Sequence, residues 1–317
     1  MKITKIALNI CLVLICLLVS FLVISVIRHQ INLKNEKKLL IPLGKIVEVN
    51  GHNVHIYEEG EGKKTLIFMS GGGTASPTLD FKSLYVRLSD QYRIVVIEKP
   101  GYGYSEVTNT SRDINTLLSE TRESLAQADI KGPYVLVPHS MSGIEALYWA
   151  QKYPEEVNTI IGLDMATPAS YKNYPINLPM IKFASFAASL GIARWIPHLA
   201  ESDAIKYGQL TDHEKAVYRA IFYNRTLTLN MVNEIQAIKA NARLVAVNKV
   251  PDINYLLFSS NGQGTGWSEE KWRTLQKDFS QSTPKAKLIE LDCSHYVHDI
   301  EYERIAKEIK GYLDGIK

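Results

Sequence analysis

From Ile6 to Ile27 the chain carries no charged residue, and most side chains in that run are Leu, Ile, Val, Phe or Cys. As a helix, about 20 such residues cover roughly 30 Å, the thickness of a bilayer's hydrocarbon core. A helix buried in a globular domain usually keeps a polar face, and this run has none. Lys2 and Lys5 precede it and Arg28 follows it. A cleaved secretory signal has an apolar core of roughly 7–15 residues and a small-residue cleavage site. This run is longer, and its best cleavage site is Val23-Ile24-Ser25. An uncleaved single-pass anchor is therefore the preferred reading, with secretion after cleavage as the alternative. Lys2 and Lys5 pull one flank inside; Arg28, Lys34, Lys37 and Lys38 pull the other, so the side of the membrane stays open.

Three of the 36 Lys and Arg residues fall in residues 1–28, and none of the 33 Asp and Glu. The remainder is neutral and lacks the basic footprint of a nucleic-acid binder. Cys11 and Cys16 lie in the apolar run, which leaves Cys293 alone in the rest. An internal disulfide framework is excluded. The eight His show no His-x-x-x-His spacing and there is no Cys-x-x-Cys, so neither a metal nor any other cofactor is called for.

Residues 29–43 are polar and Lys-rich and read as a juxtamembrane linker. The period then changes. Lys45 to Val49 and Asn53 to Tyr57 alternate around Asn50-Gly51, a hairpin signal. Thr65–Met69, Ile94–Ile97, Tyr134–Val137 and Val157–Leu163 read as strands. Helical stretches are expected near Leu79–Ser89, Ile114–Ala128 and Met141–Lys152, the last ended by Tyr153-Pro154. This alternation predicts an α/β domain over 44–317, with a mostly parallel sheet covered on both faces. From about 166 to 250 the pattern is helical only, which reads as a cap over the C-terminal ends of the strands, where open α/β sheets bind ligands. Strand–helix alternation resumes with Asn254–Ser259, a helix near Glu269–Phe279, Lys287–Leu291 and a last helix from about Glu301 to Leu313.

The chemistry-bearing segment is Leu136-Val137-Pro138-His139-Ser140-Met141-Ser142-Gly143. An apolar strand runs directly into Ser140 and a helix starts just after it. That is the arrangement of a nucleophile elbow, in which a sharp turn lifts a serine hydroxyl above the sheet and the first turn of the helix aims its N–H groups at the same place. The alternative for the octapeptide alone is a helix N-cap serine.

On these residues the chain resembles the α/β-hydrolase superfamily from about Ile46 to Leu313. The superfamily's elbow is Gly-x-Ser-x-Gly, often with His before the serine and Met after it. Here His139, Ser140 and Met141 match, Pro138 and Ser142 replace the two glycines, and Gly143 falls one place late. Phe68-Met69-Ser70-Gly71-Gly72-Gly73 resembles the superfamily's His-Gly loop. The resemblance implies an eight-stranded sheet, Ser140 as nucleophile, and the N–H groups of Gly72 and Met141 as the oxyanion hole. Glu98-Lys99-Pro100-Gly101-Tyr102-Gly103-Tyr104-Ser105 resembles its Asp-x-Pro-Gly-x-Gly-x-Ser loop and reads as scaffold.

The base is expected after the last strand, where His295 matches; His298 has no motif match, and His139 is expected to point away from Ser140 and pack on the sheet. The usual acid loop, Ser259 to Trp267, contains no carboxylate. A second location known in the superfamily is the end of the sixth strand. Asp164 stands there and is the expected acid; a cap residue such as Asp203 or Asp212, or a Ser–His dyad, are the alternatives. The function implied is hydrolysis of a small-molecule carboxylic ester through an acyl-serine. Dehalogenases and epoxide hydrolases of this superfamily use Asp at the elbow. An amidase or aminopeptidase, or a non-catalytic binding protein on the same fold, are the other readings. The cap stretch Leu178–Phe183 and Phe186–Leu190 is apolar on more than one face. It reads first as packing on the sheet; the alternative is that it lines an acyl pocket or dips into the membrane surface, which with the anchor favours lipophilic esters.

Overall fold

The computed structural model describes residues 2–316. Strand β1 (Lys45–Val49) and β2 (His52–Glu59) pair antiparallel, with Val49 opposite His52. The connecting Asn50 and Gly51 both have positive φ, 53° and 77°, as a two-residue type I′ turn requires. The other strands are β3 (Thr65–Met69), β4 (Arg93–Glu98), β5 (Tyr134–Pro138), β6 (Val157–Leu163), β7 (Asn254–Ser259) and β8 (Ala286–Glu290). Their order across the sheet is β1-β2-β4-β3-β5-β6-β7-β8. From β4 to β8 every pairing is parallel.

The central strands read as unbroken apolar runs because both their faces are covered. Along β3 and β5, Ile67, Met69 and Leu136 join the core under the helices Ile114–Gln127 and Ser142–Lys152. Leu66, Phe68, Val135 and Val137 point the other way, toward Phe81, Tyr85 and the C-terminal helix Tyr302–Gly315. The single helix expected near Leu79–Ser89 is instead two short turns, Pro77–Asp80 and Lys82–Tyr85. Leu79 packs toward the cap while Leu84, Tyr85 and Leu88 pack on the sheet. One straight helix would not serve both directions.

Between β6 and β7 the described residues form helices only, chiefly Leu178–Ser189, Asp212–Arg225 and Leu229–Ala246. This cap is tied to the sheet's C-terminal edge by buried polar contacts. Asn241 accepts from the Ile114 N–H at 3.0 Å and donates to the Arg112 carbonyl at 3.0 Å. Glu234 accepts from the Tyr102 hydroxyl at 2.7 Å and pairs with Lys99.

The N-terminal helix spans Lys2–Glu36. The polar stretch from residue 29, expected as a linker, is thus helical through Glu36. The cause is packing: Arg194 of the cap holds Glu36 at 2.6 and 2.8 Å and donates to His29 Nδ1 at 2.9 Å. The apolar part of this helix is long enough to cross a membrane and is almost wholly exposed.

Candidate active site

β5 ends at Pro138, in the interior of the sheet between β3 and β6. The next amide, that of His139, donates to the Met69 carbonyl at 2.9 Å. Ser140 then takes φ 53°, a left-handed conformation that non-glycine residues rarely adopt. Helix Ser142–Lys152 begins two residues later. Where the superfamily has glycine, the Ser142 hydroxyl shares its one proton between the carbonyls of Met69 (2.6 Å) and His139 (2.8 Å). The close approach falls instead at Gly143, where a Cβ would lie 2.3 Å from the Ala166 carbonyl oxygen. Gly71 is equally constrained: a Cβ there would sit 2.8 Å from Ser140 Cβ.

His295 follows β8 and is pinned by its own N–H, which donates to the Gln263 carbonyl at 2.9 Å. Its Nε2 lies 2.7 Å from Ser140 Oγ and its Nδ1 lies 2.5 Å from Asp164 Oδ2. Asp164 follows β6, is fully buried and has φ 48°. Its carboxylate accepts three further hydrogen bonds, each 2.7 Å: from the Ser260 N–H, the Ser260 hydroxyl and Trp272 Nε1. Acceptor-only surroundings on the carboxylate side place the imidazole proton on Nδ1. They leave Nε2 as the acceptor for the serine proton.

The structure therefore brings Ser140, His295 and Asp164 into one hydrogen-bonded line. Gly72 and Met141 border the same cavity as Ser140 and His295. No hydrogen bond among the described residues uses the N–H of either. Those donors stay available to an acceptor oxygen placed in the cavity.

Other expected residues fall elsewhere. Asp203 accepts from the Ser294 hydroxyl at 3.2 Å, and Asp212 begins the helix Asp212–Arg225. His298 is fully buried and pairs through Nε2 with Asp80 at 3.0 Å, so it does not compete for Ser140. His139, expected to point away from Ser140, borders the same cavity. Its ring lies between those of His295 (4.6 Å) and His298 (4.7 Å), with Tyr296 at 4.8 Å. Burial, then the two neighbouring imidazoles, push its pKa well down and keep it neutral. Glu98 is scaffold: fully buried, it accepts from the Thr78 hydroxyl (2.9 Å) and the Tyr104 N–H (2.7 Å) and meets His55 Nδ1 at 3.0 Å.

Ser260 and Trp272 went unnoticed in the sequence. Their partner is 96 and 108 residues away, and no local pattern marks such a link. The cavity over Ser140 encloses about 370 Å³. Tyr174, Ile176, Met180, Ile181, Ile235 and Trp267 are among the residues of its wall, and no Asp, Glu, Lys or Arg borders it among the described residues.

Residues 64–302 match the sequence model of the alpha/beta hydrolase fold family. The chain is similar to YbdG of Bacillus subtilis (strain 168), itself uncharacterized, at 34% identity over 98% of each chain. It is also similar to 2-(acetamidomethylene)succinate hydrolase of Mesorhizobium japonicum, at 25% identity over 38% of this chain and 42% of that protein. Among solved structures, an epoxide hydrolase from Vigna radiata superposes with a TM-score of 0.68 at 19% identity, over 86% of this chain and 98% of that one. A haloalkane dehalogenase loop variant from Bradyrhizobium elkanii gives 0.61 at 17% identity, over 86% and 96%. At these identities the two structures speak for the fold alone.

Proposed function

Since the chain belongs to the alpha/beta hydrolase family, we propose that it hydrolyses a carboxylic ester through an acyl intermediate on Ser140. One observation carries the proposal: Ser140 Oγ lies 2.7 Å from an imidazole nitrogen whose partner nitrogen is held 2.5 Å from a buried carboxylate. In that arrangement His295 Nε2 takes the serine proton as Oγ attacks the ester carbon. The carbonyl oxygen becomes an oxyanion facing the Gly72 and Met141 N–H groups. Collapse breaks the ester C–O bond, and the alkoxide leaves with the proton from His295. Water then attacks the acyl-serine, His295 taking its proton and returning it to Ser140 Oγ as the acid departs. Asp164 acts through His295, holding the tautomer and stabilising the imidazolium.

Serine at the elbow argues against the alkyl-enzyme chemistry of dehalogenases and epoxide hydrolases. The uncharged cavity wall argues against an aminopeptidase, which needs a carboxylate to hold the substrate's amino terminus. We assign the N-terminal helix the role of a single-pass anchor, on the strength of its length, its lack of charge and its exposure. The test is pre-steady-state mixing with p-nitrophenyl esters of rising chain length. A burst of p-nitrophenolate equal to the enzyme concentration reports acyl-Ser140. No turnover of any ester in the series would refute the reading.

A further inference from the structure

The cap meets the N-terminal helix at the end of its apolar run. The ring of Phe21 lies 5.3 Å from that of Trp195, Ser25 Oγ donates to the Leu190 carbonyl at 2.8 Å, and Trp195 Nε1 donates to Ser25 Oγ at 3.1 Å. The Arg28 guanidinium stacks over Trp195 at 4.5 Å. A helix crosses a hydrocarbon layer of about 30 Å in about 20 residues. Counted from Ile6, that ends at about Ser25, level with Trp195. Trp and Arg are the residue types enriched at such a boundary.

From this point an apolar row continues over the outside of the cap. Trp195, Ile196 and Leu199 are exposed. On helix Leu178–Ser189, whose C-terminal turn is the one held by Ser25, Met180, Phe183 and Phe186 are 60%, 66% and 61% exposed. Their spacing of three puts them on one face. Lys182 is the helix's one charged residue, and its long stem lets an ammonium reach water from a lipid surface. A protein surrounded by water rarely presents such a row without an occupant.

The same helix walls the cavity: Met180 and Ile181 border the space over Ser140, and Met180 is also on the exposed row. We infer that helix Leu178–Ser189 and the segment through Leu199 lie in the interfacial layer of the bilayer that the N-terminal helix spans. The substrate is then a bilayer-resident amphiphile, an ester with a long acyl chain, which passes along Met180, Phe183 and Phe186 into the cavity over Ser140. This rests on the Ser140 hydrolase reading and on the helix as a membrane span, and it adds the route of entry and the substrate class. Water-soluble esters reach Ser140 without using the row.

The test uses the full chain reconstituted in phosphatidylcholine vesicles, with Phe183→Asp and Phe186→Asp combined. Neither side chain borders the cavity. Turnover of p-nitrophenyl acetate in water should change by less than about twofold, whereas turnover of 4-methylumbelliferyl oleate dissolved in the vesicles should fall about tenfold or more. Undiminished turnover of both esters overturns the inference. If the unsubstituted protein cleaves neither ester, that result bears on the hydrolase reading, which the full ester series decides, and not on the membrane contact. In that case, or if the double variant loses both activities, fluorescence decides the membrane contact without catalysis. In vesicles whose lipids carry bromine on the acyl chains, Phe183→Trp should add emission that is quenched beyond that of the unsubstituted protein. Added emission left unquenched places the row in water and overturns the inference.

Discussion

Trp272 Nε1 donates to Asp164 Oδ1 at 2.7 Å, so a helix after β7 braces the carboxylate that follows β6. With Ser260, it fills the carboxylate's remaining acceptor positions and fixes which oxygen faces His295. Trp272→Phe keeps most of the ring volume and removes the donor. Leaving a buried acceptor short of one hydrogen bond costs about 1–2 kcal/mol. If that cost falls on the transition state, kcat should drop roughly five- to thirtyfold with KM little changed. Steady-state kinetics on a p-nitrophenyl ester check this.

Asp164→Asn offers an amide where the imidazole Nδ1–H needs an acceptor with charge. The expected loss in kcat is about 10²–10⁴-fold, smaller than the handicap of losing the nucleophile. Undiminished kcat would make Asp164 a structural residue and leave a Ser140–His295 dyad.

Gly143→Ala places a Cβ 2.3 Å from the Ala166 carbonyl oxygen, on backbone that cannot swing aside. The Ala166 N–H in turn holds the Ser140 carbonyl at 2.8 Å, so relief of the clash shifts the elbow itself. Destabilisation of about 1–3 kcal/mol in urea unfolding is expected, together with slower turnover of any p-nitrophenyl ester that the parent cleaves. Ser142→Gly, by contrast, should fold, because it adds no atoms.

Glu98 links stability to pH. Burial by itself would raise its pKa, but the His55 ring, the Tyr104 N–H and Thr78 hold it below the ordinary carboxylate value. A folded pKa below the unfolded one means a contribution that is present above the unfolded value, about 4.3, and lost as pH falls through the folded value. Glu98→Gln should therefore be destabilising near pH 7, by about 1–3 kcal/mol for the weakened buried hydrogen bonds. The gap in melting temperature between variant and parent should narrow below about pH 4. A gap that stays constant down to pH 3 would show that Glu98 contributes through shape, not charge.

The strands Thr65–Met69, Val157–Leu163 and Asn254–Ser259 are readable because burial on both faces writes an apolar run, closed at each end by a turn signal. The meeting of Ser140 with a helix start is readable for a similar reason: strand, serine and helix are contiguous. His295 and Asp164 are less legible, because each is placed by the strand before it and only the family's topology says where those strands end. Three features are not written locally at all. Residues 29–36 are polar, and their helix is held by Arg194, a residue of the cap. The turns Pro77–Asp80 and Lys82–Tyr85 split because their apolar residues face two different cores. His139 lies against imidazoles from the far end of the chain, which no pattern around the elbow announces.

Covalent labelling reads out whether Ser140 is a nucleophile activated by His295. Intact-mass measurement after brief exposure to a fluorophosphonate should show one adduct, on Ser140. Ser140→Ala should show none, and His295→Ala should label slower by about three orders of magnitude, since the serine loses its base. A folded protein that takes up no label, or one whose Ser140→Ala variant labels as fast as the parent, would show that Ser140 is not an activated nucleophile.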